Sequence, residues 1–96
     1  MTDLKMTKLC AEAMGFERVV HELSNIVADY KRYDPLHDDA QAMALVKKLR
    51  LSIVATSDGL WIAGPQGIDR TDFDIENVDL NRAIVECVAK IQANKS

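Results

Sequence analysis

Glu17-Arg18-Val19-Val20-His21-Glu22-Leu23-Ser24-Asn25-Ile26-Val27-Ala28-Asp29-Tyr30-Lys31-Arg32 admits two readings, and the choice between them decides the fold. Val19, Val20, Leu23, Ile26, Val27 and Tyr30 recur at helical spacing. The same segment holds the β-branched pairs Val19-Val20 and Ile26-Val27 on either side of Ser24-Asn25, a turn-forming pair between two short strands. On periodicity alone the helix has a slight advantage, and the residues leave the choice open.

The stretch that follows, Tyr33 to Leu49, is unambiguous. Ala42, Leu45, Val46 and Leu49 recur at i, i+3, i+4, i+7 with Met43 at the margin, which predicts an amphipathic helix over Asp38–Leu49. Its start has two solutions. Asp38 caps the first turn while Gln41 reaches back in a capping box, or Asp34 caps and Pro35 takes the first helical position, where a missing N–H is harmless. Asp38 and Asp39 lie at the positive end of the helix dipole, and Lys47, Lys48 and Arg50 at the negative end.

Beyond this helix, Leu51 to Thr56 alternates apolar and polar residues, Ser57-Asp58-Gly59 supplies a turn, and Leu60 to Ala63 returns until Gly64-Pro65, the pattern of a β-hairpin. One face of such a hairpin needs a helix over it, and the Asp38–Leu49 helix is the expected cover. Gly64 to Val78 reads as a long connection with a short edge strand near Thr71–Ile75, anchored by Ile68, Phe73, Ile75 and Val78. The last helix opens at Asp79 and carries the unbroken stripe Leu80, Ala83, Ile84, Cys87, Val88 and Ile91; the first starts near Asp3 with Met6, Leu9, Cys10, Ala13 and Met14, and ends at Gly15.

A chain of 96 residues is one domain, 1–96, able to bury roughly 60% of its unfolded surface in a modest core, alone or as a small homo-oligomer. Its 48% hydrophobic and 28% charged composition is that of a folded globular domain. A net charge of −3 with scattered Lys and Arg argues against nucleic acid as partner, because phosphate binding needs a basic patch. No apolar run approaches the roughly 20 residues that span a bilayer, and the start Met-Thr-Asp-Leu-Lys has no signal-peptide core, so the chain is expected to stay in the cytoplasm where it is made. Cys10 and Cys87 fall on apolar helix faces and read as buried free thiols.

Residues with chemical potential are few. Asp34, His37, Asp38 and Asp39 are metal-ligand types at close spacing, but one histidine and no converging second segment make helix capping the better account. Asp69, Asp72, Asp74 and Glu76 alternate carboxylates without the sixth-position glycine and twelfth-position glutamate of an EF-hand loop; they read first as a solvated loop, and the same acidity leaves contact with a basic partner open. His21 and His37 are of the residue type suited to general acid or base work, yet no nucleophile motif or phosphate loop accompanies them, so no enzyme, metal or cofactor is expected. Trp61 is out of phase with Leu60 and Ile62: if those two face the core, Trp61 and Ala63 face the other side, toward a second layer or a partner. Tyr30 and Tyr33 divide the same way.

Three motifs occur in a telling order: a first helix ending Met14-Gly15-Phe16, a Tyr-x-Pro entry into an Asp-x-Ala-x-Ala helix over Tyr33 to Ala44, and a closing helix with Ala83-Ile84 and Cys87. In this the chain resembles the small phage and prophage proteins of the phage ABA sandwich domain family. That resemblance implies a small antiparallel sheet flanked by helices, with strand after Met-Gly-aromatic, and so strands over Glu17 to Tyr30. The expectation is an α+β fold, a sheet of three to four strands flanked by three helices in an α/β sandwich. The resemblance further implies a phage accessory protein working in the cytoplasm of a bacterial host and carries no catalytic residues. The expected function is therefore non-enzymatic binding of a host bacterial protein, such as a defence-system component, through Trp61, Tyr33, Asp69, Asp72, Asp74 and Glu76. The alternative is a binder of a small nucleotide or metabolite.

Overall fold

The computed structural model describes residues 1–22, 25–65 and 74–95. Its elements run α1 (Asp3–Met14), β1 (Val19–Glu22), β2 (Asn25–Ala28), β3 (Lys31–Tyr33), α2 (Asp39–Leu49), β4 (Leu51–Ala55), β5 (Trp61–Pro65), β6 (Ile75–Asn77) and α3 (Leu80–Ala93). The fold is α+β, as expected, with one difference: the described strands form two separate antiparallel three-stranded sheets, β1-β2-β3 and β4-β5-β6. The ambiguous stretch is strand. Its expected Ser24-Asn25 turn lies partly outside the described residues, and its second turn is one that periodicity hid. Asp29 and Tyr30 both take positive φ, 48° and 70°, in the two-residue connection that joins Ala28 to Lys31 and matches the twist of a hairpin. Asp29 is suited to that backbone, and its carboxylate accepts from the Arg18 N–H at 2.9 Å. Tyr30 is not, and its ring stays outside, with the Arg18 guanidinium 5.2 Å from its centroid.

Each helix starts on a side-chain cap. Thr2, Asp38 and Asp79 accept from the N–H groups of Lys5, Gln41 and Arg82. The Asp38 solution therefore holds for α2, and Asp34 instead opens a separate turn closed by the His37 N–H on the Asp34 carbonyl. The reciprocal half of the capping box is absent, because the Gln41 side chain goes elsewhere. Its Oε1 accepts from the Asp34 N–H at 2.6 Å and its Nε2 donates to the Arg32 carbonyl at 3.1 Å. A single primary amide thus fills a strand partner's place along β3 and locks α2 against the first sheet.

α3 is the centre of the molecule. Ala83, Ile84, Val85, Cys87, Val88 and Ala89 are all fully buried, so its apolar surface extends beyond the stripe read from sequence. It packs on α1, on α2, and on β5 and β6, while α1 packs on β1 and β2. The hairpin β4–β5 is therefore covered by α3 and not, as expected, by α2, whose contact with that sheet is with β4, which follows it in the chain. Across the helix starts, the Arg82 guanidinium grips the Asp3 carboxylate through two bonds of 2.9 Å, and Asn81 donates to Asp39 at 2.8 Å. The three helix N-termini are thereby tied at one end of the core.

Candidate interaction surface

Alternation along β4 and β5 sets which side chains face the core. Leu51 and Ala63 are buried, and Ile53 and Ile75 pack against the core cluster, so the face bearing odd-numbered residues is the one α3 covers. Of the two phases the sequence leaves open, the structure takes the one in which Ile62 points outward and Trp61 shares the covered side. Trp61 lies near the end of that face, opposite Ala55 and Asn77, half-buried and not among the residues packed on the core cluster.

The opposite face of β4–β6 has no helix over it among the described residues. Ser52, Val54, Ile62, Gly64 and Glu76 line it in register. Val54 is 51% exposed, Ile62 is half-buried beside it, and Ser52 and Glu76 are exposed. Asp74 leans onto this face at Gly64, where its carboxylate fills the space a side chain would need; any Cβ there collides with it. Of the four carboxylates singled out from sequence, Asp74 and Glu76 thus flank the apolar pair Val54–Ile62. Asp69 and Asp72, with Ile68 and Phe73, lie outside the described residues, as does most of the expected edge strand near Thr71–Ile75; the strand described there is Ile75–Asn77. Val78, the next residue, is 72% exposed rather than anchored in the core.

Tyr33 departs from its expected contact role. It is 5% exposed, its ring meets Phe16 edge-on at 5.2 Å, and its hydroxyl is buried with no hydrogen-bond partner among the described residues. Burial, and secondarily the neighbouring Cys10, raises the phenol above its ordinary range. The thiols behave alike. Burial, with a smaller contribution from Cys87, pushes Cys10 up to about 12, and burial, reinforced by Asp74, pushes Cys87 up to about 11. Both remain protonated at neutral pH, which removes them as nucleophiles, and the Cys10 thiol donates weakly to the Val85 carbonyl at 3.6 Å.

The cluster before α2 has a clear geometry. His37 Nδ1 lies 2.9 Å from an Asp34 oxygen whose other neighbour is the Arg32 guanidinium at 3.6 Å. A carboxylate-oriented imidazole is suited to proton transfer, but no described hydroxyl or thiol hydrogen-bonds to it. His21 is exposed on the β1 edge strand. Among the described residues no three His, Cys, Asp or Glu side chains converge as metal ligands, and no helix is long and apolar enough to cross a membrane.

A groove of about 370 Å³ runs between α2 and the β2–β3 hairpin, lined by the apolar Met14, Phe16, Ala28, Tyr33 and Ala44 and by the polar Asp29, Lys31, Arg32 and Gln41, so that its charges are mixed. Sequence reasoning did not find it, because its walls come from four separate elements. No protein-family model matches the chain, and neither a curated protein nor a solved structure does.

Proposed function

We propose that this protein is a non-enzymatic binding module that contacts a protein partner through the outer face of β4–β6. One observation carries the reading: an antiparallel sheet covered on one side by α3 leaves Val54 and Ile62 uncovered on the other, bordered by Asp74 and Glu76. Adjacent aliphatic side chains with carboxylates at their margin suit a partner whose apolar centre is ringed by Lys and Arg, since opposed charges steer encounter and fix orientation. The motif order Met14-Gly15-Phe16, Tyr33 to Ala44 and Ala83-Ile84 with Cys87, similar to that of phage accessory proteins, supports a bacterial host protein as that partner, with a defence component as the specific proposal.

Affinity capture from bacterial lysate tests it. The wild-type chain recovers one host protein reproducibly, and Ile62→Asp and Glu76→Lys each lose it while keeping the wild-type melting temperature. Equal recovery by both variants, or no specific recovery by the wild type, overturns the reading. The groove beside α2 supports a second reading as a site for a small nucleotide or metabolite, since its volume lies within the range of ligand pockets and its apolar lining carries a few polar groups, Asp29, Lys31, Arg32 and Gln41. A thermal-shift screen in which no nucleotide or metabolite raises the melting temperature rejects that alternative.

A further inference from the structure

The edge strands of the two described sheets differ in how their free backbone groups are guarded. An unpaired strand edge is a template for another strand, and proteins protect it with charge, proline, brevity or a covering side chain. On β3 the Gln41 amide does this, next to Lys31 and Arg32. β6 is three residues long with Glu76 at its middle, and β1 carries His21 and Glu22. β4 has none of these devices. Leu51-Ser52-Ile53-Val54-Ala55 is five residues with no charge, proline or glycine, and Ser52, Val54 and Ala55 are exposed.

Ladder parity shows which groups of β4 are free. The Thr56 N–H donates to the Leu60 carbonyl at 2.8 Å, and pairing continues through Val54↔Ile62 and Ser52↔Gly64. Val54 and Ser52 therefore turn their backbone groups toward β5, while Ile53 and Ala55 turn theirs to the open side. None of the described residues hydrogen-bonds to those outward groups.

We propose that β4 pairs antiparallel with β4 of a second copy across a two-fold axis at Ile53, joining the two β4–β6 sheets edge to edge. Such an interface is isologous: Ile53 faces Ile53 of the second copy, and Leu51 faces Ala55 of the second copy. The strand is neutral, so the pairing opposes no like charges. At its ends the charges complement each other. Lys47, Lys48 and Arg50 precede β4 and Asp58 follows it, so antiparallel pairing brings the basic end of each copy beside Asp58 of the other.

Light scattering across a concentration series is expected to show a mass rising to that of a dimer, and hydrogen exchange at the Ile53 and Ala55 amides is expected to slow as the dimer forms. Ala55→Pro removes an outward N–H that the chain's own ladder does not use, so it weakens pairing by about tenfold or more while the monomer keeps its fold. Asp58→Lys weakens it too, more at low than at high salt. A chain that stays monomeric, grows past a dimer, or dimerises unchanged in Ala55→Pro overturns the proposal. Should a variant melt early, amide exchange in the unaltered chain decides alone: outward amides that exchange freely at every concentration refute the pairing. Neither Ala55 nor Asp58 belongs to the outer surface of Val54, Ile62 and Glu76, so self-pairing and partner capture succeed or fail separately.

Discussion

Tyr33 shows how one atom can oppose the stability of its own core. Its ring packs well against Phe16, yet its hydroxyl is buried without a partner among the described residues. A buried hydroxyl that makes no hydrogen bond costs about 1–3 kcal/mol, whereas losing one oxygen's packing contacts costs less. Tyr33→Phe is therefore expected to raise stability by about 1 kcal/mol, seen as a higher denaturant midpoint at unchanged m-value. A drop in midpoint would mean that the hydroxyl makes a favourable interaction. The sequence marked Tyr33 as a residue with a polar end to keep wet; only the packing of α1 and β2 around it shows that the end is dry. Tyr30, three residues earlier, has the opposite fate, its ring outside at a positive-φ turn that a helical reading of the segment could not anticipate.

Among the elements, α2 is fastened to the first sheet chiefly through Gln41. Its side chain satisfies both the Asp34 N–H and the Arg32 carbonyl on the open side of β3. Gln41→Ala removes both bonds and is expected to cost about 1–3 kcal/mol. Gln41→Glu keeps the acceptor for Asp34 but sets a carboxylate against the Arg32 carbonyl, so it should be destabilised at neutral pH. That deficit should shrink as pH falls through about 4.3 and the protonated acid regains a donor; chemical denaturation at pH 7 and pH 4, each against wild type, measures it. Deficits equal at the two pH values would show that the lost donor is not the cause. Caps and stripes were legible because they are local: Asp38 and Asp79 open their helices and Gly15 closes α1 where the residue types say they should. The destination of Gln41 was not legible, since a capping box and a strand plug use the same side chain and differ only in what the fold brings near.

At the scale of the molecule, Cys10, Cys87 and Tyr33 form an ionisable group inside the core, all with raised pKa values. The linkage has a definite sign. An unfolded chain loses its thiol protons near pH 9, while folded Cys87 and Cys10 hold theirs to about 11 and about 12. Above pH 9 the unfolded state binds fewer protons, so stability falls with rising pH; below that value these groups contribute no slope. Equilibrium unfolding should thus be insensitive to them from pH 6 to 8 and weaken steadily above about 9, and the double substitution Cys10→Ala with Cys87→Ala should flatten the alkaline fall while lowering stability overall through lost packing. An alkaline fall of the same steepness in the double variant would rule the thiols out as its source. The same scale decides the covering of the second sheet, where α3 meets β5 and β6 and leaves Val54 and Ile62 outside.

By itself the sequence determined the class of the fold, the place of three helices and the hairpin after α2, because periodicity, caps and turn residues act within a few positions of one another. Motif likeness, rather than periodicity, pointed to strand after Gly15. Only the tertiary structure decided that the strands divide into two sheets, that α3 rather than α2 lies over β4–β6, and that Ile62 rather than Trp61 faces outward. Alternation gives two faces and no sign. The sign is set when α3, with Ala83, Ile84, Val85, Cys87, Val88 and Ala89 in the core, chooses the face it covers.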